Sequence, residues 1–454
     1  MTMARSHRHL DAGHYILPLR WRRGLALLSL APQRGLDVIM SDIEALLREF
    51  RPGRTIYVPG ATGETLALAG ALSADPGRAA GVNFLSCLVP GMNEAVDYAG
   101  LTHDSSLTTF MLPGCARESF IQGRVALIPR TYWGAAQHLQ STRCDVAIAH
   151  VAPSDANGLC SLGIASDFAP LVWPQAAIKI LVVNPSMPRI PRALGLRAAD
   201  ADLIVTLDGP LVEAAPAQSN AEAESIARRV AALVPDGAHI QTGIGGAPGA
   251  VWNHLHGHKG LVLRSGMAND WLRELADAGA LATGTPHVAG IAYGSRAFYD
   301  DLAASDLVGF ATTVETHGLP ALANVPRLIS VNSALEIDLF GQVNVEWQGS
   351  KLSSGVGGGP DFMRAATFSP GGRSIIALPA TAKRGAVSRI VARMDKPSIG
   401  VARSDIDTVI TEHGVAELRD KGIDQRAEAL IAIAAPEFRD ALAEEWRALR
   451  ATFR

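Results

Sequence analysis

This chain has few cysteines, no long apolar run and no charge bias, and each shortage closes off a class of function. Cys87, Cys115, Cys144 and Cys160 are the only four cysteines in 454 residues. They form no CxxC pair and have no histidine beside them at metal-ligand spacing. A disulfide scaffold or zinc ribbon is not written here; reduced, mostly buried thiols in a cytoplasmic protein are expected. No apolar run reaches the roughly 18 residues that a membrane helix needs. The run Gly24 to Ala31, after Arg20, Arg22 and Arg23, is short, late and closed by Pro32. Residues 1–36 therefore read as a surface extension, with export as the alternative. The net charge is −3 with both signs interspersed. That leaves no basic stripe for nucleic acid and no polybasic patch for a membrane.

What is present is a globular α/β pattern. Hydrophobic residues make up 48% and charged residues 19%, enough to bury the cores of two or three domains. One pattern occurs twice. Ile43 to Leu72 reads as helix, Pro52-Gly53, a strand from Thr55, a turn with Gly60 and Gly63, then helix. Ile226 to Leu255 reads as helix, Pro235-Asp-Gly237, a strand from Ala238, a turn with Gly243, Gly245 and Gly246, then helix. Such repeats imply two related open α/β domains. The expected spans are 37–215 and 216–454, because Leu211 to Glu224 is rich in Ala, Pro and polar residues. Unbroken apolar runs such as Val146–Val151, Ile178–Val183, Leu203–Leu207 and Ile375–Leu378 suit strands of parallel or mixed sheets covered on both faces. The tail Gln425 to Phe453 has a helical pattern whose apolar side is expected on the second domain.

The densest chemistry lies between Leu335 and Arg389. Two short β-type runs there flank Gly355, Gly357, Gly358 and Gly359. Clustered glycines let backbone N–H groups converge on an anion or a developing oxyanion, or simply make a tight turn between strands. The Gly243–Gly246 turn has similar potential at a helix start. It is no dinucleotide fingerprint, since Pro248 breaks the spacing. His254, His256 and His258 could share a helix face for a metal, but no carboxylate third ligand is evident and a surface role is favoured, so no metal is assigned. Trp347 reads as core before ligand, and Cys160, with no His–Asn pair to activate it, as a buried thiol.

Taken together these segments resemble the acetyl-CoA hydrolase/transferase family, which includes 4-hydroxybutyrate and acetate-type CoA-transferases. The resemblance runs from about Leu36 to the C-terminus. It is carried by Asn157–Gly163, Val183–Pro188, Gln241–Gly245, Ser333–Asp338, Gly341–Val343, Ser354–Gly358, Asp361-Phe362, Thr381–Lys383 and Ser388–Ile390. It implies an acyl-CoA site between two α/β domains, with coenzyme A as substrate, a carboxylate as acceptor and no permanently bound cofactor. In such enzymes a glutamate attacks the thioester and passes through a glutamyl-CoA adduct, while a glycine loop holds the oxyanion. Gly357 and Gly358 are the expected donors; Gly243, Gly245, Gly355, Asp361 and Lys383 are expected to bind CoA. A homo-oligomer is expected.

Two departures stand out. The family writes a strand ending in His-Thr-Glu-Met, whereas this chain has Arg264-Ser-Gly-Met267, which puts Gly266 at the glutamate position. The family's Gly-Gly-Gln-x-Asp-Phe becomes Gly357-Gly-Gly-Pro-Asp-Phe362. Glycine cannot form an adduct. Three outcomes stay open: attack by water or by a substrate carboxylate, a nucleophile displaced to Glu315 with His317, or a silent CoA-binding protein.

Overall fold

Strands form where the apolar runs predict them, because the chain offers two helix-covered surfaces for them to fill. The structure is a computed structural model, and it describes residues 41–214 and 220–453. The 1–36 extension and the expected boundary at 215/216 lie outside the described residues.

The first sheet has seven strands: β1 Thr55–Tyr57, β2 Asn83–Leu85, β3 Ser106–Thr109, β4 Val125–Leu127, β5 Cys144–Val151, β6 Ala176–Val183 and β7 Leu203–Thr206. Their order is β4-β3-β2-β1-β5-β6-β7, and every pairing is parallel. Alternate residues feed two cores. Ile56, Phe84, Ile148 and Val182 pack on Leu46, Leu68 and Leu72. Tyr57, Leu85, Ala149 and Leu181 pack on Ala135 and Leu139. Burial on both faces is why β5 and β6 read as unbroken apolar runs. The Leu203–Leu207 run departs from this, because β7 is an edge strand with Ile204 exposed.

The second sheet has six strands: β8 His239–Thr242, β9 Val262–Leu263, β10 Leu328–Asn332, β11 Arg373–Ala377, β12 Thr408–Thr411 and β13 Gly414–Glu417. Their order is β9-β8-β10-β11-β12-β13, parallel except for the final antiparallel hairpin. The tail forms two helices, Ile423–Ala432 and Pro436–Arg450, in place of one continuous pattern. Pro436 opens the second one, where its missing N–H leaves no bond unmade. Leu430, Leu442 and Trp446 bury against Ile376 and Val409 of this sheet and Leu418 just beyond it, as the tail's apolar side predicts.

One expectation fails. The glycine cluster is not a turn between strands; it leads from a short hairpin, Trp347–Gln348 with Lys351–Leu352, into the helix Gly359–Phe368. Pro360 lies in the first turn of that helix, where proline is pre-organised and its lack of an N–H costs nothing. Among the described residues no helix is long and apolar enough to cross a membrane.

Candidate active site

A cavity of about 400 Å³ opens at the carboxyl ends of strands from both sheets. From the first sheet come Met92 beyond β2, Met111 beyond β3 and Tyr132 beyond β4; from the second come Gly243 and Gly245 beyond β8, Gly266 beyond β9 and Ser333 beyond β10. Parallel sheets place ligands there because the strand-to-loop transitions leave a crevice. The volume suits an acyl group with its thioester.

One wall is glycine backbone. Gly355, Gly357, Gly358 and Gly359 all line the cavity. The helix Gly359–Phe368 starts there with Gly358 as its N-cap. Its first N–H groups have no carbonyl inside the helix, and the helix dipole favours negative charge at that end. Glycine is required at Gly355, where a Cβ would lie 2.2 Å from the Phe110 carbonyl oxygen. The loop is held from the first sheet's side: Tyr132 N–H donates to Gly357 O (3.2 Å), and Trp133 N–H donates to Asp361 Oδ2 (2.9 Å). Burial pushes the Asp361 carboxyl up to about 7, against the lowering effect of its bonds to Trp133 and Thr131. Asn332 spaces the two glycine loops. Its Oδ1 lies 2.5 Å from where a Cβ on Gly243 would sit and 3.1 Å from one on Gly359. A buried network holds that amide: Gln241 Nε2 donates to Asn332 Oδ1 (3.2 Å), and Asn332 Nδ2 donates to Ser330 Oγ (3.0 Å).

Gly266 lies just past β9, and its missing side chain is replaced by a neighbour's ring. A Cβ there would stand 2.8 Å from His317 Cε1 and 2.9 Å from Nε2, and one on Gly358 would stand 2.5 Å from Nε2. The imidazole sits between Tyr132 and Phe362, at centroid distances of 5.0 and 4.7 Å. Thr316 Oγ1 donates to Thr312 O (3.2 Å) and lies 2.8 Å from His317 Nδ1. With the hydroxyl proton committed to Thr312, Nδ1–H donates to Thr316 and the Nε2 lone pair points toward Gly266 and Gly358. Burial pulls the His317 pKa down to about 3, so the ring is neutral at pH 7.

Facing that ring's end of the cavity is Asp167. It is 7% exposed and lines the cavity, and its Oδ2 has no hydrogen-bond partner. Its carbonyl accepts from Thr313 N–H (2.9 Å), and Ser166 N–H donates to Gly290 O (3.0 Å). Gly290 N–H in turn donates to Gly266 O (2.9 Å), so Asp167 and Gly266 are one backbone segment apart. Burial raises the Asp167 carboxyl to about 7.

Of the residues singled out from sequence, Gly243, Gly245, Gly266, Gly355, Gly357 and Gly358 meet at this cavity. Asp361 supports the wall from behind through Trp133 rather than binding the glycine amides. Two others are elsewhere. Glu315 is exposed and closes a capping box on its own short helix, Thr313–His317, accepting from Thr312 N–H (3.1 Å). A side chain spent on its own helix start does not reach the cavity. Lys383 is exposed at the tip of the hairpin Thr381–Ala382 with Val387–Ser388, away from the cavity lining. Trp347 donates to Ser398 Oγ (2.8 Å) and does not line the cavity. The three histidines separate: His254 pairs with Glu224 Oε2 (2.7 Å), while His258 bonds the Val234 carbonyl (3.1 Å). Cys160 is buried, in a strand paired with Gly195–Arg197 rather than in a loop. Sequence reasoning passed over Asp167, Tyr132 and Asn332. The available signal for Asp167 was one acid set among Ile164, Ala165 and Phe168, a pattern that buries a charge.

A family model described as the acetyl-CoA hydrolase/transferase C-terminal domain matches residues 294–446. The 4-hydroxybutyrate coenzyme A transferase of Clostridium kluyveri is 33% identical over 396 residues, covering 85% of this chain and 92% of that protein. The chain belongs to the acetyl-CoA hydrolase/transferase family. Solved structures agree. RipA from Yersinia pestis superposes with a TM-score of 0.83 at 27% identity, covering 90% of this chain and 97% of that one. The 4-hydroxybutyrate CoA-transferase of Porphyromonas gingivalis gives 0.74 at 28%, with the same coverage. The chain is thus an enzyme of CoA-transferase or acetyl-CoA hydrolase type, with the α/β fold of that family. The matched span 294–446 contains the glycine wall and His317; Gly266 and Asp167 lie before it.

Proposed function

We propose that this protein cleaves an acyl-CoA thioester held between its two sheets and that water, not a protein carboxylate, attacks the carbonyl. The observation that carries this reading is Gly266. Where the resemblance calls for a nucleophilic glutamate there is no side chain, and the His317 imidazole stands in the space a Cβ would need. Coenzyme A is then a leaving group and no glutamyl-CoA forms on this strand end. The roles follow from the geometry. The first amides of the helix Gly359–Phe368, with Gly358, receive the oxyanion as the carbonyl becomes tetrahedral. Neutral His317 accepts a hydrogen bond from the attacking water at Nε2. A group pulled down to about 3 holds a water well but is a poor proton acceptor at pH 7. Met92, Met111 and Met267 offer the acyl chain an adaptable apolar lining.

The test is CoA release from a panel of acyl-CoAs, with and without carboxylate acceptors. Release at a rate independent of the acceptor supports hydrolysis. Release only with an acceptor returns the protein to CoA transfer. Binding of CoA with no release from any thioester gives the silent binder.

A further inference from the structure

We infer that Asp167 is the general base of this hydrolysis, taking the proton from the water that attacks the acyl-CoA carbonyl. The inference rests on the hydrolytic reading above and assigns the one proton transfer that reading leaves open.

Three observations carry it. Asp167 lines the cavity at the Gly266 end, through the chain of bonds Ser166 N–H to Gly290 O and Gly290 N–H to Gly266 O. A Cβ on Gly290 would lie 3.5 Å from Asp167 Cβ, 3.1 Å from Gly266 O and 3.6 Å from Thr316 Oγ1, so the base of the Asp167 side chain, the Gly266 backbone and the residue beside His317 surround one small glycine. Its Oδ2 is buried without a partner, and a buried polar atom left unpaired in a cavity wall is one that a bound water or ligand completes. Among the described residues no cation neutralises it. The titratable groups facing it are Tyr57 from β1, Cys87 beyond β2 and Tyr132 beyond β4, with His317 across the same end. Burial lifts the two phenols and the thiol well above their ordinary values and lowers the imidazole, so all four are neutral at pH 7. Desolvation, opposed by the backbone N–H groups of Phe168 and Asp167, moves the carboxyl to about 7, the range in which a base is both ionised and able to hold a proton.

The step balances without a co-reactant. The water oxygen bonds to the thioester carbon as its proton moves to Asp167. The tetrahedral intermediate then breaks its C–S bond, and the CoA thiolate takes that proton as it leaves. The acid product releases the second proton of water to solvent.

The experiment follows CoA release from acetyl-CoA and butyryl-CoA by the full chain and by Asp167→Asn, with pH profiles, CoA binding and thermal unfolding. The expected kcat loss is about 100-fold or more with KM little changed, and wild-type kcat should fall as pH drops below about 7. That break should persist in Asp361→Asn, since Asp361 is bonded to Trp133 and Thr131 instead of opening to the cavity. Unfolding separates a catalytic from a structural role. The folded protein keeps the Asp167 proton up to about 7, whereas an unfolded carboxyl loses it near 4, so wild-type stability falls as pH rises through that window. Asp167→Asn should therefore melt above wild type at pH 8, with the gap closing toward pH 4. A melting point lower at every pH marks a structural residue and overturns the assignment. Should Asn fail to fold, Asp167→Ser repeats the comparison. Unchanged kcat and pH profile in the variant overturn the base while leaving hydrolysis standing. An adduct of CoA mass on the peptide bearing Asp167 overturns it too, by making the carboxylate a nucleophile. Wild type that releases no CoA overturns both readings.

Discussion

The two glycine turns of the repeated pattern have diverged into opposite states. After β1, the Gly60–Gly63 turn is filled: a Cβ on Gly60 would lie 2.1 Å from Cys87 O. Asn93 clamps it by accepting from Ala61 N–H (2.9 Å) and donating to Ala61 O (2.9 Å). Ala61, Thr62 and Gly63 are buried. After β8, the Gly243–Gly245 turn lines the cavity; Ile244 is exposed, and a Cβ on Gly246 would meet nothing within 4 Å. Both turns follow a strand and precede a helix, as the sequence pattern says. What separates a packed turn from a cavity wall is whether the neighbouring chain fills it, and that depends on residues such as Asn93 that lie far from the turn in sequence.

Substitution of one glycine in each turn should test this contrast. Gly60→Ala forces a methyl into a backbone carbonyl and should cost about 3 kcal/mol of stability by denaturant unfolding. Gly246→Ala, on the open side of the second turn, should stay within about 0.5 kcal/mol. Equal costs would erase the distinction. At the other glycine wall, Gly358→Val should leave the fold intact but lower turnover about 100-fold, because its side chain meets His317 and blocks approach to the amides. Unchanged turnover would reduce this loop to a connector.

Gly266 gives a conditional prediction. Gly266→Glu alone should yield no glutamyl-CoA, because its Cβ collides with the His317 ring. Gly266→Glu combined with His317→Ala should make room and produce an adduct detectable by mass. An adduct in the single variant would show that the ring yields easily and that its position over Gly266 means little. The smallest effect belongs to Glu315→Gln. It weakens one capping box and should cost about 0.5–1 kcal/mol, with turnover within about twofold of wild type. A large loss of turnover there would restore Glu315 as a catalytic candidate.

The fold was legible because both signals are local. Apolar runs without alternation marked β5, β6 and β11 as doubly covered strands, and glycine turns after strands marked the repeat. Half the site was legible for the same reason: the glycine wall is one contiguous segment. The other half was not. His317 and Glu315 are two residues apart on one short helix, and only the capping box decides that the acid turns back while the imidazole enters the cavity. Asp167 meets Gly266 across about a hundred residues of chain through the Gly290 backbone, a contact that no spacing encodes. Lys383 resembled a phosphate ligand as a residue type, yet its hairpin carries it away from the cavity.

The proposed reaction is thioester cleavage without a covalent enzyme–CoA intermediate. The most direct measurement is the intact mass of the wild-type protein during turnover of acetyl-CoA, paired with borohydride trapping and the rate of CoA release. Water attack predicts acceptor-independent CoA release with no species of CoA mass added to the chain and no reduction-dependent loss of activity. A CoA adduct that forms during turnover and inactivates the enzyme on borohydride treatment would contradict it.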